Sequence, residues 1–280
     1  MSNHWADTSN HQMTTLASIH RYPVKSMMGE ELNASFVSEK GVLGDRAFAL
    51  KDEEGKLVTA KNPRKWPTMF SHRASFALPL ALAPTDALPP VMLTLPDGSA
   101  MMSGDLGLEE ALSKSLGKRV TWETIAPEAP VIEEFWPDDV EGLPHSDTVT
   151  DENTLAGTFF DLSTIHLLST GTIRALMRLL PGSRLEARRF RPNFMVDTGD
   201  TIGFIENDWV GKTLRIGEVE MEITGPCPRC VMTTLAQYDL PKDSAVLRAA
   251  VQANDGGVGV YARILKAGVM RRGDAIEFMG

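Results

Sequence analysis

Thr213-Leu214-Arg215-Ile216-Gly217-Glu218-Val219-Glu220-Met221-Glu222-Ile223-Thr224-Gly225-Pro226-Cys227-Pro228-Arg229-Cys230-Val231-Met232-Thr233-Thr234-Leu235 decides how this chain is read. Residues 213–216 and 218–223 alternate apolar and polar side chains around Gly217, as two half-buried strands joined by a tight turn do. Residues 231–235 are rich in β-branched side chains and read as a further strand. Both cysteines then sit at a strand-to-strand turn, flanked by Pro226 and Pro228. This is β architecture, not the strand–turn–helix alternation of a parallel α/β sheet.

Cys227 and Cys230 are the two cysteines among 280 residues, so all thiolate chemistry runs through them. Arg229 is a fixed cation between them, able to raise the thiolate fraction. A structural zinc site needs four Cys or His ligands. None of the six histidines is near in sequence, so His145 or His166 would have to fold back. A thioredoxin-like dithiol opens a helix after a strand, whereas the residues that follow here are strand-like. One thiolate can instead ligate a transition metal carried by an organic cofactor. Small buried cysteines of a β protein can also be inert.

Outward from this segment, the patterning predicts many short strands and few helices. Residues 1–13 read as a disordered leader. Strands are expected at 16–25, 120–125, 194–197, 259–265 and 275–279, with hairpins of 46–51 on 56–60 and of 91–95 on 100–102. Residues 81–90 read as a surface connection. Helices are expected at 106–116, closed by Gly117, from a Ser169 or Thr170 cap to before Pro181-Gly182, and at 244–253. The acidic run 127–151 reads as a linker or mobile loop. The resulting expectation is a mainly β fold with a few helices (α+β): a β-barrel-like module at 14–126 and a second domain at 152–280.

The net charge of −9 argues against a nucleic acid or anionic membrane partner. No apolar run is long enough to span a bilayer, the N-terminus lacks a signal-peptide core, and two cysteines suit a reducing compartment. The expectation is cytoplasmic, with no membrane. Within this acidic chain Arg184, Arg188, Arg189 and Arg191 crowd around a single acid, Glu186. They read either as phosphate-binding forks, with Asn193 beside them, or as a solvated strand face. Lys25-Ser26 and Asp45-Arg46 place anion donors at strand ends. Trp66, Trp122 and Trp209 read as packing residues, and His166 as a core histidine.

Together these pieces resemble one family. Tyr22-Pro23-Val24-Lys25-Ser26 and Gly41-Val42-Leu43-Gly44-Asp45-Arg46 are similar to the N-terminal β-barrel module that precedes MOSC domains. Arg189-Phe190-Arg191-Pro192-Asn193, Trp209-Val210-Gly211, Gly225-Pro226-Cys227-Pro228-Arg229-Cys230, Thr233-Thr234 and Gly268-Val269-Met270-Arg271-Arg272-Gly273-Asp274 resemble the MOSC β-barrel domain itself. The resemblance runs from about residue 16 to the end, in order.

It implies a cofactor, a molybdenum ion on a phosphate-bearing pyranopterin dithiolene (Mo-molybdopterin). In the amidoxime-reducing branch, which includes a mitochondrial component and bacterial relatives, one protein thiolate ligates the metal, and that position maps to Cys230. Thiolate is a soft ligand suited to such a metal. The implied cofactor contacts are Lys25, Ser26, Arg46, Ser163, Arg189, Arg191, Asn193 and Arg229, with Asp161 as a candidate for assisting protonation. The sequence departs from the branch at Leu162, where a threonine follows the aspartate, and Ser163 or Thr164 would have to supply that hydroxyl. The implied activity is oxygen-atom transfer from a small N-hydroxylated or N-oxide substrate. Its electrons would come from a separate ferredoxin-, flavin- or cytochrome-type donor protein. The alternative is a non-redox cofactor carrier or a sulfur-transfer module using a Cys230 persulfide.

Overall fold

The computed structural model describes residues 14–85, 87–140, 142–143 and 146–279. The expected leader at 1–13 and the candidate ligand His145 lie outside the described residues. In chain order the first half comprises β1 (Thr15–Arg21), β2 (Glu30–Leu32), β3 (Ala34–Ser38), β4 (Gly41–Val42), β5 (Ala49–Asp52), β6 (Arg73–Phe76), β7 (Val91–Thr94), β8 (Ala100–Met102), α1 (Leu108–Leu116) and β9 (Val120–Glu123). The second comprises β10 (Val131–Trp136), β11 (Thr148–Asn153), β12 (Ile165–Ser169), α2 (Thr170–Leu179), β13 (Phe194–Asp197), β14 (Thr213–Ile216), β15 (Val219–Pro228), α3 (Ala245–Asn254), β16 (Gly257–Lys266), β17 (Gly268–Arg271) and β18 (Ile276–Met279). The fold is mainly β with three α-helices among the described residues, as the patterning predicts.

The largest sheet has eight strands in the order β18-β14-β15-β16-β12-β13-β1-β2. Its alternating inward side chains, among them Leu16, Ile19, Ile165, Phe194, Ile223 and Val260, form one core with Val37 and Val42. A second core gathers Val24, Leu50, Val58, Trp66, Leu93, Leu112 and Val120, with Met232 and Leu235 packed against it. The segment that follows the cysteines is therefore clamped by the N-terminal half. The two-part division is not a clean cut in sequence. β1 pairs with β13 and β3 with β17, so the first strands complete the sheets of the C-terminal half. Burying side chains such as Leu16 and Ile19 there contributes about 2 kcal/mol each.

Local signals place several elements as read. The Ser169 side chain accepts from Thr172 N at the start of α2, and Gly117 ends α1 in the left-handed region at φ 72°. Three expectations are corrected. Residues 231–234 are a 3-10 turn, not a strand. Thr233 and Thr234 hydroxyls donate back to the carbonyls of Cys230 and Val231, at 3.0 and 2.7 Å, which curls the backbone. The 46–51/56–60 hairpin is reduced to a bridge between Lys51 and Leu57, because β5 takes its ladder from β9. The acidic segment expected as a linker or loop at 127–151 contains most of a β-hairpin, β10 on β11. Its charge is neutralised from outside: Lys56 Nζ lies 3.1 Å from Glu133 and 2.6 Å from Asp151.

Candidate functional site

Beyond β1 the chain turns into the N-terminal half, and three residues near this turn hold strained backbone. Ser26, Arg46 and Arg191 have φ of 61°, 46° and 52°, a region that costs an L-residue about 1–2 kcal/mol. Such strain persists only where the surroundings impose it, and it concentrates at functional sites. Tyr22 is the organiser. Its hydroxyl donates to Pro192 O at 3.1 Å, its carbonyl accepts from Arg46 N at 2.8 Å, and both guanidinium groups lie over its ring, 4.5 Å (Arg46) and 4.1 Å (Arg191) from the centroid.

Ser26, Arg46 and Arg191 line a cavity of about 690 Å³ between the two halves. Lys25, Ser26 and Arg46 come from the N-terminal half, Asp161, Arg191, Arg229 and Cys230 from the C-terminal half, and Glu134 and Trp136 from the hairpin. The donors of the strained residues are largely unspent. Among the described residues, Arg191 donates to Met27 O at 2.7 Å and Arg46 to Asp45, one acceptor each for a five-donor group. Ser26 Oγ has only a 3.5 Å contact to Thr59 Oγ1. A buried and a half-buried arginine with spare donors, beside a thiol in a roomy cavity, fit a phosphate-bearing organic group that carries a thiophilic metal.

The other predicted contacts, Ser163, Arg189, Asn193 and Arg229, also line the cavity, and each makes hydrogen bonds within the protein. Arg189 is buried and its guanidinium donates to the carbonyls of Arg184, Thr233, Leu235 and Pro241, which fixes the turn after Cys230. Arg184 and Arg188 face Glu186 and Asp239 and stay outside the site. Asn193 bonds Asp45 and the backbone of His20 and His166. Arg229 donates to Val258 O and Phe190 O, both at 2.9 Å. Ser163 Oγ shares its proton between Ile165 O and Ala262 O, each at 3.3 Å. Leu162 is exposed and Thr164 turns to Glu39 O.

Asp161, the candidate for assisting protonation, lines the cavity. Burial alone would raise its pKa, but Lys25, Lys61 and Arg46 outweigh that and hold the carboxyl well below the usual carboxylate range. It is the ion-pair partner of Lys25. Lys25 Nζ, whose own pKa is lowered by burial, donates to it and to Phe159 O at 2.9 Å. Lys61 and Glu134, 3.1 Å apart, complete the group, with Lys61 also 3.7 Å from Asp161. Sequence reading missed Lys61, and took Glu134 for a solvated loop residue. The alternation of Ile132, Glu134 and Trp136 was the signal that could have placed Glu134 inward.

The thiols are also not what adjacency to Arg229 suggests. Burial pushes Cys230 up to about 12, with Glu134 adding to the rise and Lys61 opposing it. Burial likewise raises Cys227, against Arg229 and a Tyr261 hydrogen bond. Both are free cysteines. His166 is buried, and the Arg229 guanidinium crowds its ring. Among the described residues no group of three or more His, Cys, Asp or Glu side chains is placed to hold a metal ion. Nor is any helix there long and apolar enough to cross a membrane.

Residues 13–102 match the family model of the MOSC N-terminal beta barrel domain, and residues 156–277 that of the MOSC domain. The chain is similar to human mitochondrial amidoxime-reducing component 1, 26% identical over 234 residues, covering 80% of this chain and 67% of the relative. Rat mitochondrial amidoxime reducing component 2 is 25% identical over 236 residues, with the same coverage of 80% and 67%. Among solved structures, the YUAD protein from Bacillus subtilis overlays 95% of this chain and 96% of its own at 12% identity and a TM-score of 0.46.

Proposed function

Because this chain belongs to the MOSC domain family, we propose that its cavity binds a molybdenum–pyranopterin cofactor with Cys230 as the protein ligand, and that it reduces N-oxygenated compounds. The observation that carries this reading is the meeting, in one cavity, of the Cys230 thiol with the underused donors of Ser26, Arg46 and Arg191. When bound, the cofactor supplies oxygen-atom transfer from an N-hydroxylated or N-oxide substrate.

The chain's own residues bind and orient. Ser26, Arg46 and Arg191 hold the phosphate, preorganised by Tyr22, and Lys25 supplies further positive charge. Cys230 gives up its proton on ligation, favoured by the neighbouring Lys61 cation. Asn193, Arg189 and Arg229 line the same cavity and fix the segments that carry these groups. Conversion of an N–OH to an N–H and water consumes two electrons and two protons, so a separate donor protein of ferredoxin, flavin or cytochrome type supplies the electrons. A reducing compartment such as the cytoplasm keeps both thiols free.

The alternative, a non-redox cofactor carrier or a sulfur-transfer module using a Cys230 persulfide, uses the same thiol without turnover of an N-oxygenated substrate. The test is turnover of benzamidoxime to benzamidine with reduced methyl viologen as donor, on protein made in a cofactor-producing host. Turnover that disappears in Cys230→Ser is expected. Turnover unchanged in that variant would overturn the ligand assignment.

A further inference from the structure

Glu134 reaches the cavity by a route fixed in the backbone. Ile132, two residues before it on β10, is fully buried with Ala49, Leu57 and Phe159, and strand alternation turns Glu134 to the same face. On either side β10 is tied to the segment 57–61. Leu57 N donates to Val131 O and Phe135 N to Lys61 O, both at 2.9 Å. The Glu134 side chain is thus carried on a braced strand, buried, and lines the cavity together with Cys230. Among the charged groups around Cys230, Glu134 acts on the thiol most strongly.

Its two oxygens have different surroundings. Oε2 accepts from Lys61 Nζ at 3.1 Å, in an ion pair largely out of solvent. Among the described residues Oε1 accepts no hydrogen bond, and the side chain lies against the cavity. The other acids there are engaged or peripheral. Asp161 pairs with Lys25 and Lys61, Glu152 accepts from Thr150, and Asp255 is exposed at the end of α3.

With Lys25, Arg46, Lys61, Arg191 and Arg229 around it, the site repels a cationic ligand. Oε1 is instead a fixed acceptor whose charge Lys61 balances, and its complement is a neutral N–H. A site built to hydrogen-bond such a donor rejects the analogue without it, because the buried acceptor is left unpaired.

We infer that Glu134 is a specificity-determining residue: Oε1 accepts an N–H of the bound substrate, and so favours neutral N-oxygenated compounds with an N–H beside the N–O-bearing group. This rests on the reductase reading for its substrate, though not for the binding itself. Glu134→Gln inverts the contact, since the amide oxygen stays on Lys61 and the NH2 group then meets the substrate's N–H.

The test compares benzamidoxime with N,N-dimethylbenzamidoxime, which keeps the N–OH and lacks the amino N–H. On cofactor-loaded protein Glu134→Gln is expected to lower kcat/KM for benzamidoxime about tenfold, and for the dimethyl compound by less than about twofold. In parallel, ligand-observed NMR on the protein as purified measures benzamide and N,N-dimethylbenzamide, neutral amides with no N–O bond. Only benzamide is expected to bind more weakly to the variant, again by about tenfold. An equal fall for both amidoximes, or no fall for benzamidoxime, overturns the proposal. If neither amidoxime turns over, the reductase reading fails and the amides alone decide. Equal effects of the variant on the two amides, or no binding of benzamide to the native protein, then overturn the assignment. The melting temperature of Glu134→Gln reports its folding. If it does not fold, Glu134→Leu combined with Lys61→Met, which leaves neither charge of the pair unmatched, decides by the same ratios.

Discussion

Asn193 Nδ2 donates to Asp45 Oδ2 at 2.8 Å, tying the strand before the cavity in one half to a turn in the other. Both residues are buried. The second Asp45 oxygen accepts from Tyr22 N at 2.7 Å, and Asn193 Oδ1 accepts from His166 N at 3.1 Å. A strut of this kind acts whether or not a cofactor is present. Asn193→Ala is expected to cost about 1–3 kcal/mol in the cofactor-free protein. Asn193→Asp, which sets a second acid against Asp45, is expected to cost about 3 kcal/mol or more. Urea unfolding of both variants without cofactor checks this, and unchanged midpoints would reassign Asn193 to cofactor contact.

Ser26 holds φ 61° for the sake of its position. Replacing it by glycine relieves about 1–2 kcal/mol of strain. Glycine's greater freedom in the unfolded chain takes back about 0.4–1 kcal/mol. Ser26→Gly is therefore expected to raise stability by up to about 1.6 kcal/mol while lowering cofactor retention. Thermal unfolding of the cofactor-free variant, paired with its molybdenum content after purification, measures the two effects separately.

His166 gives a pH dependence of definite sign. Burial first, then the Arg229 charge, hold its pKa well below the ordinary histidine value. The unfolded chain therefore binds the proton more readily. The stability from neutral His166 is fully present above about pH 6.5 and is lost as the pH falls toward the lowered folded value, by about 1.4 kcal/mol per pH unit. His72 and His20, also lowered by burial, add in the same direction. His166→Asn is expected to flatten the profile between about pH 5 and 6.5. Asp161 acts in a lower window: its depressed pKa contributes stability above about pH 4 that is lost in stronger acid.

Arg189 donates to four carbonyls around the turn that follows Cys230. Lysine keeps the charge and loses the fork. Arg189→Lys is expected to destabilise by about 2–3 kcal/mol through carbonyls left without donors. It is also expected to lower metal content, because the Cys230 segment loosens. A variant that loses metal at native stability would point to direct cofactor contact instead.

Where a signal is local, the sequence carried it. The Ser169 cap of α2, Gly117 beyond α1 and the Gly217 turn between β14 and β15 need only neighbouring residues, and each is found as read. The pairing of β3 with β17 joins residues more than two hundred positions apart, and nothing local announces it. The hairpin was hidden by its acidity, since the lysines that neutralise Glu133 and Asp151 lie far away in sequence. Residues 231–234 look β-forming until the threonine hydroxyls find their own backbone. In the site, Lys25, Ser26, Arg46 and Arg191 were legible as anion donors. Arg189, Asn193 and Arg229 line the same cavity, but a motif names residue types, not where their hydrogen bonds go, so their bonds to distant backbone could not be read.

The most direct measurement is molybdenum by mass spectrometry and pterin by oxidative release, on protein purified from a cofactor-producing host beside Cys230→Ser and Arg191→Met. Near-equimolar metal and pterin in the native protein is expected. Cys230→Ser is expected to lose the metal–thiolate absorption, and Arg191→Met to lose both metal and pterin. Native protein that emerges from a competent host with neither would contradict the account.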